Sequence, residues 1–277
     1  MNSDHRIASG LATLAANVVG TGAPVVFLHA NVADNRMWRA QMAGVGENNL
    51  AIAYDRQSFG ETHAGTEDFS EVADLLAVMG ALTDGAPAIL VGCSQGGRIA
   101  VDAALRYPSR IVGLVLIAPN VTGEPAAVCP PEITGGLDQL KDAEEAGDLD
   151  QVNAIKARLW LDGPLAAEGR VAGPARQLLL DMNAIKLRSS PTGSDLDVIG
   201  EVPAFHRLGE IEAPTLVIWG DLEFPHIQDR CRQIAAEIPN GTGHVLADTA
   251  HLPSLDCPAE VTDQVVGFVN RFSDRQG

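Results

Sequence analysis

The apolar positions of this chain fall into short unbroken runs, each followed by polar residues or a turn signal. Pro24-Val25-Val26-Phe27-Leu28 ends at His29 and a polar stretch over 30–35. Leu50-Ala51-Ile52-Ala53-Tyr54 ends at Asp55, and Ala88-Ile89-Leu90-Val91 runs into Gly92. Runs of this length between turn signals predict strands buried on both faces, as in a parallel sheet. Between them the spacing becomes helical: Val72, Leu75, Leu76, Val78, Met79 and Leu82 predict a helix over 68–82. Gly97 to Tyr107 reads as a second helix, stopped by Pro108, and Ile111 to Ala118 as a further strand. Strand, helix and strand in succession form a βαβ unit and imply a parallel sheet. Residues 5–20 predict one or two N-terminal strands, and Met37 begins a short helix.

After Pro119 the pattern changes. Residues 121–135 are rich in Pro and Gly, and from Leu137 to Arg188 the chain reads as helical throughout, with no strand. Its first part carries Asp138, Asp142, Glu144, Glu145, Asp148 and Asp150, the pattern of a solvated helix face. Strands return at Pro214–Trp219 and near His244–Ala247, with helices near Ile227–Ile238 and Ala259–Phe272. The expected fold class is therefore α/β: a mostly parallel central sheet flanked by helices, with core segments 1–120 and 201–277 and a helical lid over 121–200.

Composition narrows the partners. Of 277 residues 46% are hydrophobic but only 4% aromatic, so the core is expected to be built from Ala, Val, Leu and Ile. A net charge of −17 argues against nucleic acid or an anionic membrane, because phosphate contacts need a surplus of Lys and Arg. The four cysteines, Cys93, Cys129, Cys231 and Cys257, show no metal-ligand or redox spacing, which suits reduced thiols in a cytoplasmic protein. No apolar stretch is long enough to span a membrane. Leu11 to Val19 is broken by Thr13 and Asn17 and reads as an edge hairpin rather than a signal-peptide core.

The chemistry centres on Gly92-Cys93-Ser94-Gln95-Gly96. A serine at a strand-to-helix turn framed by small residues is a nucleophile elbow: the hydroxyl projects above the sheet edge, and the helix N-terminus offers free N–H groups. A serine hydroxyl needs a general base and a carboxylate to orient it, and in an α/β sheet these lie beyond the C-terminal ends of strands. The loop after 216–219 supplies two candidate acids, Asp221 and Glu223, and the last strand is followed by His251. His244 reads as a surface residue and His226 as a helix-start residue. Two backbone donors should form an oxyanion hole, the Gln95 amide and the Asn31 amide in the loop after Leu28. Arg98, in the helix after the elbow, reads as a surface or core-edge ion-pair partner. Trp160 and Met182 are candidates for the substrate pocket.

These landmarks resemble the α/β-hydrolase fold superfamily over essentially the whole chain: the His29 loop with Trp38 downstream, Asp55 to Gly60, the elbow at Ser94, Gly220 to Glu223, and His251-Leu252-Pro253. The resemblance implies a Ser94, Glu223, His251 triad, because the acid usually sits three residues after the loop glycine. Ala157 to Pro164 resembles small esterase-like members near the 3-oxoadipate enol-lactonases. Three positions depart from the pattern: Ala30 replaces a glycine and narrows the oxyanion loop, Ser58 and Thr62 replace a Gly and a Ser, and Glu223 stands where Asp is commoner.

The implied activity is hydrolysis of a small carboxylic ester or lactone through an acyl-enzyme. The same triad could serve a C–C bond hydrolase or a cofactor-free haloperoxidase or perhydrolase. A reading of another class is a small-molecule receptor that retains the triad. No cofactor and no metal are called for, and the partners expected are a small-molecule substrate and a second copy in a homodimer.

Overall fold

A computed structural model describes residues 4–189, 193–199 and 203–273. Of the predicted insertion 121–200, residues 190–192 and 200 lie outside the described residues, as do 1–3, 201, 202 and 274–277 of the two core segments. The strands are β1 (His5–Ser9), β2 (Ala12–Val19), β3 (Pro24–Leu28), β4 (Leu50–Tyr54), β5 (Ala88–Cys93), β6 (Ile111–Ile117), β7 (Thr215–Gly220) and β8 (Gly241–Leu246). They form a single sheet in the order β1-β2-β4-β3-β5-β6-β7-β8. β1 and β2 are antiparallel, as is the β2–β4 pairing, and every later pairing is parallel. Residues 5–19 are thus the expected hairpin.

Both faces of the sheet are covered, and side chains alternate between them along each strand. Val26 and Leu28 of β3 pack into the cluster on one face, Val25 and Phe27 into the cluster on the other. The helices of the first segment are α1 (Arg39–Val45), α2 (Glu71–Leu82) and α3 (Gln95–Arg106). Ser70 caps α2, its Oγ accepting from the Ala73 N–H at 2.9 Å, so the helix begins where a free amide finds a side-chain partner.

Between β6 and β7 the described residues hold no strand. This insertion carries α4 (Pro131–Ala146), α5 (Leu149–Lys156), a π-helical turn over Ala157–Asp162 and α6 (Pro174–Arg188). The expectation of continuous helix over 137–188 is corrected in two places. Gly147, left-handed at φ 69°, ends α4, and residues 163–173 form loop and turns opening at Gly163 with φ 108°. Trp160 accordingly lies in the π turn rather than on a regular amphipathic helix. The chain closes with α7 (Pro225–Glu237), the short α8 (Pro253–Asp256) and α9 (Pro258–Ser273).

The strand order places the site. β4 lies on one side of β3, and the chain then returns through α2 to put β5 on the other side. The C-terminal ends of β3 and β5 therefore meet where the winding reverses, the position at which α/β sheets leave a crevice. Leu28 is in register with Gly92, so the loop after β3 rises beside the turn that carries Ser94.

Candidate active site

Ser94 joins β5 to α3 with φ 54° and ψ −114°, a conformation that an L-residue adopts only under constraint. The constraint is packing. A Cβ on Gly96 would lie 2.1 Å from the Leu28 carbonyl oxygen, and one on Gly92 would lie 2.4 Å from the Gly96 carbonyl oxygen. The Ser94 amide donates to the Ile117 carbonyl at 2.9 Å, and its carbonyl accepts from the Asn120 amide at 3.0 Å. Gln95 opens α3, so its amide is among those that the helix leaves free. Asn31 sits in the turn after β3 and is exposed.

The structure separates the two candidate acids. Asp221 is exposed, while Glu223 is buried with Oε2 2.5 Å from His251 Nδ1. Glu223 Oε1 accepts from the Phe224 N–H at 2.8 Å, which fixes the carboxylate from its other side. A proton shared with Glu223 at Nδ1 leaves Nε2 of His251 as the basic nitrogen.

Main-chain bonds hold the two loops together. The Leu222 amide donates to the Thr249 carbonyl at 2.9 Å, and the His251 amide to the Trp160 carbonyl at 3.2 Å. Cys93 Sγ lies 3.6 Å from the His251 carbonyl oxygen, which puts the histidine backbone against the residue preceding Ser94. Burial pushes the Cys93 thiol far above its usual range, so it stays protonated and is a poor nucleophile. Arg170 ties the insertion to the histidine loop, reaching the carbonyls of Leu161 at 2.8 Å, Asp162 at 2.7 Å and Asp248 at 2.7 Å.

Of the expected pocket residues, Trp160 is half-buried and its ring lies 5.8 Å from that of Phe224, beside the acid. Met182 is fully buried, its sulfur accepting from the Asp34 amide at 3.5 Å in the loop after β3. His244 is half-exposed, 3.8 Å from Glu260. His226 begins α7 and stands 3.9 Å from Cys129 Sγ. Among the described residues no group of His, Cys, Asp and Glu is placed to hold a metal ion, and no helix is long and apolar enough to cross a membrane.

On the other flank lies a feature the sequence did not disclose. Glu71 of α2 accepts from Arg56, from Arg98 and, at 3.2 Å, from Gln95 Nε2. Arg98 also contacts Asp102 at 3.1 Å and Asp195 at 2.6 Å. Arg98 is buried, not at the surface or core edge, and it gathers three carboxylates. Burial alone would raise the Glu71 pKa, but the charges of Arg56 and Arg98 outweigh it and hold the carboxyl below its usual range. His29 is fully buried, with Nε2 accepting from the Arg56 amide at 3.0 Å and Nδ1 donating to the Ala30 carbonyl at 2.9 Å. Burial first, and Arg56 second, lower its pKa well below the ordinary value, so it stays neutral.

A model of the alpha/beta hydrolase family matches residues 25–264, most of the chain and every residue discussed at this site. The chain belongs to the alpha/beta hydrolase family. Among relatives of this hydrolase, a pimeloyl-[acyl-carrier protein] methyl ester esterase of Shewanella woodyi is 24% identical over 92% of this chain and 96% of its own. A 2-hydroxy-6-oxononadienedioate/2-hydroxy-6-oxononatrienedioate hydrolase of Burkholderia vietnamiensis is 28% identical over 66% of this chain and 62% of its own. Among solved structures, the enol-lactonase of Burkholderia xenovorans superposes with a TM-score of 0.69 at 18% identity, covering 96% of this chain and all of the other.

Proposed function

We propose that this hydrolase cleaves a small carboxylic ester or lactone through an acyl-enzyme on Ser94. The observation that carries the reading is the buried 2.5 Å contact between Glu223 and His251 beside a serine in a constrained elbow. In this reading His251 Nε2 takes the Ser94 proton as the oxygen attacks the carbonyl. Glu223 orients the ring and stabilises the imidazolium. The amides of Gln95 and Asn31 hold the oxyanion that forms. His251 then returns its proton to the leaving alcohol and activates water to release the acid. The insertion acts as a lid, with Trp160 and Met182 as walls of the substrate pocket. The protein is taken as cytoplasmic, free of cofactor, and a homodimer that light scattering can test.

The esterase and enol-lactonase likenesses support ester or lactone chemistry. One relative favours a second reading. The dienedioate named for the Burkholderia vietnamiensis hydrolase contains no ester or amide, so its hydrolysis must break a carbon–carbon bond. A screen that includes such vinylogous diketones separates the two.

The test is labelling with a fluorophosphonate probe, followed by intact mass and peptide mapping. Stoichiometric labelling at Ser94 is expected in the native protein and none in Ser94→Ala, with turnover lost by about 10⁴-fold or more. A folded Ser94→Ala protein that keeps its esterase activity would sink the proposal.

A further inference from the structure

Arg170 lies half-buried in the loop between the π-helical turn and α6. A guanidinium carries its N–H groups in a rigid planar fork, and here every arm of the fork is engaged. Nε donates to the Asp162 carbonyl at 2.7 Å. Nη2 donates to the Leu161 carbonyl at 2.8 Å and to Asp256 Oδ2 at 2.5 Å. Nη1 donates to the Asp248 carbonyl at 2.7 Å and to Asp256 Oδ1 at 3.2 Å.

The acceptors are placed around His251. Asp248 precedes the histidine in its loop, and Asp256 follows it at the end of α8. Leu161 and Asp162 belong to the π turn whose Trp160 carbonyl receives the His251 amide at 3.2 Å. One side chain therefore touches the chain on both sides of the histidine and the element that holds its backbone. The loop needs such a tether: Asp248 is left-handed at φ 54°, a strained conformation for a residue with a Cβ, and its carbonyl is one that Arg170 receives.

The loop that presents Arg170 is itself fixed. The fully buried Asp162 carboxylate accepts from the amides on either side of it, Gly169 at 2.8 Å and Val171 at 3.0 Å, and pairs with Arg176 at 2.7 Å. The contacts of Arg170 are to main chain and to Asp256, so it reaches the catalytic groups through the histidine loop.

We propose that Arg170 is a positioning residue for the hydrolytic reaction: by pinning the histidine loop to the insertion it sets the His251 ring against Glu223. The proposal rests on the Ser94, His251 and Glu223 reading given above. Positive charge alone does not fill this role, because a lysine ammonium has three donors and no planar fork with which to bridge three carbonyls and a carboxylate.

The experiment compares Arg170→Lys and Arg170→Ala with the native protein at a temperature at which circular dichroism shows all three folded. Two quantities are read: the low-field proton resonance of His251 Nδ1–H, the proton shared with Glu223, and the rate of fluorophosphonate labelling at Ser94. In both variants the resonance is expected to broaden away and labelling to slow by about 10- to 100-fold. Methylguanidinium added to Arg170→Ala should recover part of the rate, which it would not do for Arg170→Lys. A residue that only stabilises the fold would lower Tm and leave resonance and labelling rate unchanged in the folded variants, and that result overturns the proposal. Where neither variant folds, Asp256→Asn decides: the fork loses its charged partner and labelling should slow by about threefold or more, an unchanged rate and resonance again overturning the proposal. Failure of the native protein to label would count against the catalytic reading instead; the resonance then decides on its own, and its survival in Arg170→Lys overturns the positioning role.

Discussion

On one flank of Ser94, Gln95 hangs from a cluster of buried charges; on the other, Glu223 and His251 are set by main-chain hydrogen bonds and one short side-chain contact. The charged flank joins α2, α3 and the segment around Asp195 through Glu71 and Arg98. Such a cluster is stable only while every charge keeps its partner, because each has lost its water. The stitched flank rests on main-chain bonds together with Arg170 and its Asp256 partner, and its backbones approach so closely that it has no room for an extra carbon. The contrast assigns different weaknesses to the two sides: charge removal and pH on the first, steric intrusion on the second.

The largest effect is expected from Glu71→Gln. It leaves Arg56 without its carboxylate and Arg98 with two of three, at a cost of about 3–5 kcal/mol in chemical unfolding. If the variant is less than 1 kcal/mol destabilised, the cluster is not holding this flank. Gly220→Ala probes the other side. Its Cβ would stand 1.9 Å from the Thr249 carbonyl oxygen, forcing the acid and histidine loops apart. The expected loss is about 3 kcal/mol of stability, with kcat falling more than KM rises.

The pH response should come from the charged flank. Burial, and then the neighbouring Asp34 charge, push the Asp55 carboxyl up to about 6. A carboxyl raised in the folded state adds stability below its unfolded value near 4, and that contribution is lost as pH rises through about 6. Comparing Asp55→Asn with the native protein from pH 4 to 8 should show the native protein losing roughly 2 kcal/mol relative to the variant as pH rises. His29 works in the opposite sense. Its pKa is lowered, so its contribution is present above about 6.5 and lost as pH falls through the folded value. A difference curve that is flat between pH 4 and 8 would remove Asp55 from the account. The smallest effect is expected from Asp221→Asn: it is exposed, while Glu223 is the carboxylate that contacts His251, so kcat/KM should stay within about twofold and stability within about 0.5 kcal/mol.

The same contrast explains what could be read in advance. The strands around the elbow, the turn at Ser94 and the loops carrying Glu223 and His251 rest on local patterns of a few residues. The choice between Asp221 and Glu223 stayed open on residues alone, because two carboxylates in one short loop differ only in which way the chain turns. The Glu71 cluster was illegible for another reason. Its partners are 15, 24, 27 and 97 residues apart along the chain, and no local spacing marks them. Thr62 was read only as a departure, yet its Oγ1 donates to the Asp55 carbonyl at 2.6 Å and accepts from the Ala15 amide at 2.9 Å, so the altered turn gains two bonds. The break at 163–173 is marked in the sequence itself: the segment holds only two polar residues, Glu168 and Arg170, while Gly163-Pro164, Gly169 and Gly173 are helix breakers, and all three glycines take positive φ.

The carbonyl of Trp160, which receives the His251 amide, makes the insertion something other than an interchangeable cover. A chimera that grafts a relative's helices onto this sheet would have to keep residues 157–162 and Arg170, or rebuild the acceptor they provide. Specificity in this scaffold is therefore more readily altered by replacing side chains on the insertion than by transplanting it whole.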